Sequence, residues 1–147
     1  MNEAAELTSA PGNDTFHLGY VLINRALQRF QLGDAQGAAS DWLRMLELSI
    51  GLQNRRGVAG AVEGAAYLVL GQGDADCAAR LLAAAARVRD LTGTPLFPQW
   101  YAAHAEAEDR AHEILGMAFN AAQKQGAAAR FEDVVEQTRT ILTELAA

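Results

Sequence analysis

Apolar residues recur at helical spacing along almost the whole chain. They follow the three- and four-residue steps that place side chains on one face of a helix. No segment alternates between apolar and polar residues as a half-buried strand does. The pattern predicts an all-α protein of about seven helices. The expected bounds are 15–32, 35–52, 58–70, 75–91 and 98–115, then a short helix that reaches 125, and finally 131–145.

Glycine followed by aspartate separates several of these helices. Gly33 and Gly73 suit the left-handed residue that ends a helix, and Asp34 and Asp74 suit the N-cap of the next. Pro98 is placed for the first turn of the fifth helix, because proline has no N–H to lose there. Glycine, aspartate and proline therefore predict where the helices begin and end.

The chain is expected to form one domain after a short leader. Pro11, Gly12 and Asn13 favour a break, so residues 1–13 are predicted to be flexible and 14–147 to fold together. Within the domain we expect repeats at 15–54 and 55–94, followed by C-terminal helices over 98–145.

An internal repeat appears when the chain is shifted by forty residues. The shift places Gly33-Asp34-Ala35 on Gly73-Asp74-Ala75, with small residues before and after the turn in both copies. Small residues let paired helices approach closely, and a helical hairpin needs a neighbour to bury its apolar face. The repeat therefore predicts stacked helical hairpins.

This spacing resembles the tetratricopeptide repeat, although a period of forty exceeds that family's usual length of about 34 residues. The matching positions are the small residues Ala26, Ala66, Ala38 and Ala78 and the large residues Trp42 and Leu82. Residues 72–96 and 115–134 are similar to the last repeat of MalT-like and LuxR-type bacterial ATPase regulators. No Walker motif, Gly-x4-Gly-Lys-Ser/Thr, is present.

The resemblance implies both a fold and a function. It implies a right-handed solenoid that serves as a protein-interaction scaffold, or as a regulatory module of a bacterial signalling or transcription regulator. Sensing of a small ligand is the alternative that it leaves open. The core of such a fold should contain Leu22, Ala26, Leu27, Phe30, Ala38, Trp42, Ala66, Ala78, Leu82, Ile114 and Leu115.

Composition narrows the classes of partner. The 147 residues include 31 alanines and carry a net charge of −6, and the eleven arginines and one lysine are scattered. The sequence contains no run of basic residues that could follow a phosphate backbone, so we expect no direct contact with nucleic acid. No apolar stretch approaches the roughly 20 residues that span a bilayer. The sequence contains one cysteine, Cys77, and its first residues are acidic. Both features favour a cytoplasmic location.

Few residues suggest catalysis. His104, Glu108 and His112 share a helix face at four-residue steps, but they lack the zincin arrangement, and a solvated polar stripe is the simpler interpretation. Cys77 lies in the first turn of a helix, where the dipole could lower its pKa, yet no histidine is close in sequence. We expect a chain that is not an enzyme and needs neither metal nor cofactor.

Aromatic residues beside amides and charges predict a binding groove for a protein or peptide. In tetratricopeptide solenoids, which the sequence resembles, the first helix of each hairpin lines the concave surface. The predicted groove consists of Tyr20, Asn24, Glu63, Tyr67, Trp100 and His104. Tyr67 and Trp100 could equally belong to the core. Self-association through an exposed apolar end is left open.

Overall fold

The computed structural model describes the backbone of residues 11–147 and the side chains from Leu18 onward. This part of the chain is helical and contains no strand, so the prediction of an all-α protein is confirmed. A single 3₁₀ turn, Pro98–Trp100, precedes the fifth α-helix. The α-helices are α1 (Pro11–Gln31), α2 (Ala35–Gly51), α3 (Arg55–Gly71), α4 (Ala75–Thr92), α5 (Tyr101–Leu115), α6 (Ala118–Ala128) and α7 (Phe131–Ala146).

Two helices begin earlier than the sequence pattern predicts. Helix α1 includes Pro11, Gly12 and Asn13, three residues that were expected to belong to the leader. The third helix starts at Arg55 because Asn54 caps it. Residues 1–10 of the predicted leader lie outside the described residues.

The predicted aspartate caps are present. Asp34 Oδ1 accepts from the backbone N–H of Gly37 at 2.9 Å, and Asp74 Oδ1 accepts from that of Cys77 at 3.1 Å. The preceding glycine at position 33 has φ +86°, and that at position 73 has φ +93°. Each cap satisfies one of the orphan N–H groups at the start of its helix.

Helix α3 forms the centre of the molecule. Every residue from Val58 to Leu70 is buried, because α2 and α4 pack along it and α1, α5 and α7 also contact it. The two hairpins, α1–α2 and α3–α4, therefore lie side by side. This arrangement places the two predicted repeats next to each other.

Glycines on α3 let side chains of α2 pass close to its backbone. A Cβ at Gly60 would lie 2.6 Å from Met45 Cε, and one at Gly64 would overlap the ring of Trp42. The missing side chains at these two glycines let α2 and α3 pack closely. A similar approach occurs between α4 and α6, where a Cβ at Gly126 would overlap the backbone carbonyl of Arg80.

The C-terminal helices cover the second helices of the hairpins. Helix α6 packs on α4, whereas α7 packs on α2 and also contacts α3. Arg139 of α7 donates to Glu47 of α2, with Nε 2.8 Å from Oε2. In an open solenoid each repeat contacts only its neighbours. The last helix here returns to the first hairpin, and a tetratricopeptide-like arrangement stays a prediction.

Most of the predicted core is buried, including Leu22, Trp42 and Leu82. Phe30 and Leu115 are partly buried and pack against the core. The prediction that Ile114 belongs to the core is wrong, since its exposed fraction is 54%. The reason is that α6 packs on α4 rather than covering the outer side of α5.

Candidate binding cleft

The six residues predicted to line a groove fall into two groups. Glu63, Tyr67 and Trp100 are buried, with exposed fractions of 1%, 2% and 1%. The His104 side chain is mostly covered. Tyr20 is 60% exposed and lies elsewhere, on α1. These side chains do not share one open surface, which corrects the predicted groove.

Asn24, the sixth predicted groove residue, is half-buried and turned toward its own helix. Its side-chain amide donates to the backbone carbonyl of Tyr20 at 3.0 Å. This local bond takes up one donor that a partner would otherwise use.

An aromatic cluster explains why the predicted residues on α3 and α5 are buried. The ring centroid of Trp42 lies 6.1 Å from that of Trp100 and 6.3 Å from that of Tyr67. Trp42 reaches this position because α3 presents Gly64 to its ring. Aromatic pairs at such distances stabilise a core beyond their area burial. The cluster joins α2, α3 and the 3₁₀ turn that precedes α5.

A hydrogen bond extends the cluster to His104. Tyr67 Oη and His104 Nδ1 are 2.9 Å apart, and His104 Nε2 lies 3.7 Å from a carboxylate oxygen of Glu108. Burial raises the pKa of the Tyr67 phenol, and the nearby Glu63 carboxylate adds to this effect. The phenol therefore stays protonated, and its hydroxyl shares one hydrogen bond with Nδ1 whose direction depends on the tautomer of His104.

A buried ion pair accounts for Glu63. Arg89 donates from Nε and Nη2 to the two carboxylate oxygens of Glu63, each at 2.7 Å. The Arg89 side chain is only 11% exposed, and its Nη1 also donates to the carbonyl oxygens of Thr94 and Pro95. Arg89 thus holds the α4–α5 loop against α3.

A cleft of about 180 Å³ lies where α2 and α4 end and α3 begins. Its walls come from α1, α2, α3, α4 and the loop before α5. The apolar part of the wall consists of Tyr20, Ile23, Met45, Leu48, Leu52 and Phe97. Two of these side chains, Tyr20 and Leu52, are themselves exposed. The cleft offers an apolar recess that solvent reaches.

Polar groups line the same cleft. Ser49 is buried, and its hydroxyl makes no hydrogen bond among the described residues. Asn54 uses its oxygen to cap α3 and keeps its side-chain N–H groups for other partners. Arg56 is exposed and Arg89 is paired with Glu63. The cleft therefore combines apolar walls with hydrogen-bond donors.

The histidines and the cysteine considered for chemistry pack against other residues of the fold. Within it, no three His, Cys, Asp or Glu side chains are grouped to hold a metal ion. Burial raises the pKa of the Cys77 thiol, the direction opposite to the lowering that a helix dipole would produce. His112 stacks on Phe119, with ring centroids 4.7 Å apart. None of the helices between residues 11 and 147 is both long and apolar enough to cross a bilayer.

Fold and cleft together define an all-α protein of packed helical hairpins with an apolar recess at the end of the bundle. Comparison with known proteins adds no closer assignment, because no family model, no curated protein and no solved structure matches the chain.

Proposed function

We propose that this chain is a protein-interaction module, in which tetratricopeptide-like hairpins hold a cleft that receives an apolar side chain of a protein or peptide partner. The cleft carries the proposal. It leaves Tyr20 and Leu52 exposed beside buried Ile23 and Met45 in an otherwise closely packed bundle. Apolar recesses with a few placed polar groups are typical of binding sites.

The wall of the cleft is preorganised. Arg89 fixes the loop that carries Phe97 by bonding both to Glu63 and to two loop carbonyls. Gly57 brings the start of α3 against Ser49, since a Cβ at that position would overlap the serine hydroxyl. A rigid recess loses little conformational entropy when it binds, which favours affinity.

The resemblance to regulator repeats supports placing this module in a cytoplasmic signalling or transcription pathway of a bacterium, without catalysis of its own. A buried thiol with a raised pKa agrees with a structural role for Cys77. Small-ligand sensing is the competing proposal. The largely apolar wall of the cleft favours a peptide side chain over a sugar or nucleotide.

Selection from a random-sequence peptide display pool tests the proposal. Peptides enriched on the wild-type protein are measured again on the double variant Tyr20→Ala/Leu52→Ser. Its matched control is Tyr101→Ala/Ile114→Ser, which removes an equally exposed pair from α5. We expect the cleft variant to lose affinity by about tenfold or more, because truncating apolar anchors costs more than 1 kcal/mol.

The proposal is overturned if no peptide is enriched, or if the α5 variant loses binding while the cleft variant keeps it. Circular dichroism of both variants checks that helix content is unchanged. A saturable thermal shift with a sugar or nucleotide, in the absence of any peptide binding, would establish the sensing alternative instead.

A further inference from the structure

We infer that the cleft selects peptide segments in which an acidic residue adjoins the apolar side chain that enters it. This inference rests on the proposed function and specifies the chemistry of the partner. It starts from the charges of the lining residues. Among them, only Arg56 and Arg89 carry a charge at neutral pH, and both are cations.

The positive charge of the described lining contrasts with the negative net charge of the whole chain. The chain has 18 acidic and 12 basic side chains, yet among the residues from Leu18 onward no carboxylate lines the cleft. The described lining attracts an acidic residue of a peptide, although the net charge of the whole chain is −6. Charge complementarity of this kind directs a partner to one site and excludes others.

The two arginines contribute differently. Arg89 donates to Glu63 and to the loop carbonyls, so its charge is balanced within the fold. Arg56 is exposed on the first turn of α3 and forms no ion pair with any residue whose side chain the structure describes. Arg56 is therefore the cation that can bind an incoming carboxylate, and a guanidinium suits that geometry.

Neighbouring donors point to the same chemistry. The Ser49 hydroxyl lines the cleft and makes no hydrogen bond to the residues from Leu18 onward, and Asn54 has unused N–H donors there. Both lie beside the start of α3, whose dipole favours negative charge. An acidic residue next to the inserted apolar side chain satisfies Arg56 and these donors together.

Three defined display pools test the inference. All share a central Leu, Ile or Phe, and the flanking positions carry Asp and Glu in the first pool, Asn and Gln in the second, and Lys and Arg in the third. We expect peptides from the acidic pool to bind with affinities about threefold to tenfold higher than peptides from the amide pool. This is the range expected for one partly exposed charge-assisted contact. We expect the basic pool to give none.

Substitution of Arg56 identifies the residue responsible. Arg56→Gln should remove the preference for the acidic pool, and Arg56→Glu should reverse it. Arg44→Glu on α2 is the matched control, because Arg44 is exposed and does not line the cleft. Since Arg56 is exposed, these variants should keep the helix content of the wild type in circular dichroism.

The outcomes separate this inference from the proposed function. Equal binding of the acidic and amide pools, or a preference for the basic pool, overturns the inference while the cleft still binds peptides. Loss of the acidic preference in the Arg44 variant rather than the Arg56 variants also overturns it. If no pool gives binding that depends on Tyr20 and Leu52, the proposed function itself fails.

Discussion

At the scale of single residues, two glycines on α3 determine how far the side chains of α2 enter the bundle. Gly64 meets the Trp42 ring, and Gly60 meets the end of Met45. With Trp42 seated against α3, Tyr67 and Trp100 can pack on its ring. The absence of two methyl groups thus permits the aromatic cluster.

Replacing Gly64 with alanine should destabilise the protein by about 1–3 kcal/mol. The new methyl group would overlap the buried Trp42 ring, and overpacking of this kind outweighs the gain of about 0.5–1 kcal/mol in helix propensity. Urea unfolding followed by circular dichroism measures the change. Gly51→Ala is the matched control, since nothing lies within 4 Å of its Cβ position. A Gly64 variant as stable as the wild type would contradict this packing.

Some single residues could be predicted from the sequence and others could not. Asp34 and Asp74 were predictable as caps, because the cap bond is local. Glu63 carries the only acidic side chain between Val58 and Leu70, and a lone charge in an apolar run signals a buried pair. Its partner, Arg89, lies 26 residues away and could not be read from that signal.

A buried carboxylate that binds two arginines was also missed. Asp41 is 2% exposed and accepts from Arg25 Nε at 2.9 Å and Nη2 at 2.7 Å, and from Arg29 Nη1 at 3.2 Å. Asp41 stands beside the apolar face of α2, which was the available signal. Side-chain pairing across helices depends on packing distances that periodicity does not contain.

At the scale of elements, the Glu63–Arg89 pair joins α3 to α4 and to the following loop. Arg89→Met should destabilise the fold by about 3–5 kcal/mol, because it leaves the Glu63 carboxylate buried without a counter-charge. The double variant Glu63→Leu/Arg89→Met should recover much of this loss, since an apolar pair can replace a buried ion pair. Chemical unfolding of both variants measures the difference. If Arg89→Met is as stable as the double variant or more stable, this account is refuted.

Helix α7 is attached to α2 by an ion pair at the surface. Hydrogen bonding to Arg139 lowers the pKa of Glu47 below its ordinary value of 4.5. A lowered pKa in the folded state means that the pair stabilises the protein above pH 4.5. That contribution is lost as the pH falls through the lowered value.

Glu47→Gln should therefore cost stability at pH 7 but not at low pH. The pair is partly exposed, at 48% for Glu47 and 31% for Arg139, so solvent screening limits the expected cost to below about 1 kcal/mol. Unfolding curves at pH 7 and below pH 4 measure it. Glu113→Gln, at an exposed position on α5, is the control. A cost that persists unchanged at low pH would rule out this ionisation as its source.

At the scale of the whole molecule, local patterns predicted the helices better than their assembly. Apolar periodicity located the helices, because each helix must bury one face. The forty-residue repeat located the two hairpins. The return of α7 to α2 was not predictable, because no repeat partner exists for residues 131–146.

The candidate site was less predictable than the fold. Tyr20 and Trp100 were both predicted to line the groove, but helical spacing does not determine how deeply a side chain is buried. Trp100 lies under the surface because Gly64 admits Trp42 beneath it, whereas Tyr20 stays exposed on the cleft. The cleft itself depends on where the α4–α5 loop lies, and Arg89 places that loop.

Chemical-shift mapping of a selected peptide on the isotope-labelled protein tests the central claim most directly. The account predicts that the amide and methyl resonances that move most belong to cleft residues such as Gly19, Ile23, Leu48, Leu52 and Gly57. Shifts centred instead on α5, around Tyr101 and Ile114, or on the covering helices α6 and α7, would contradict it.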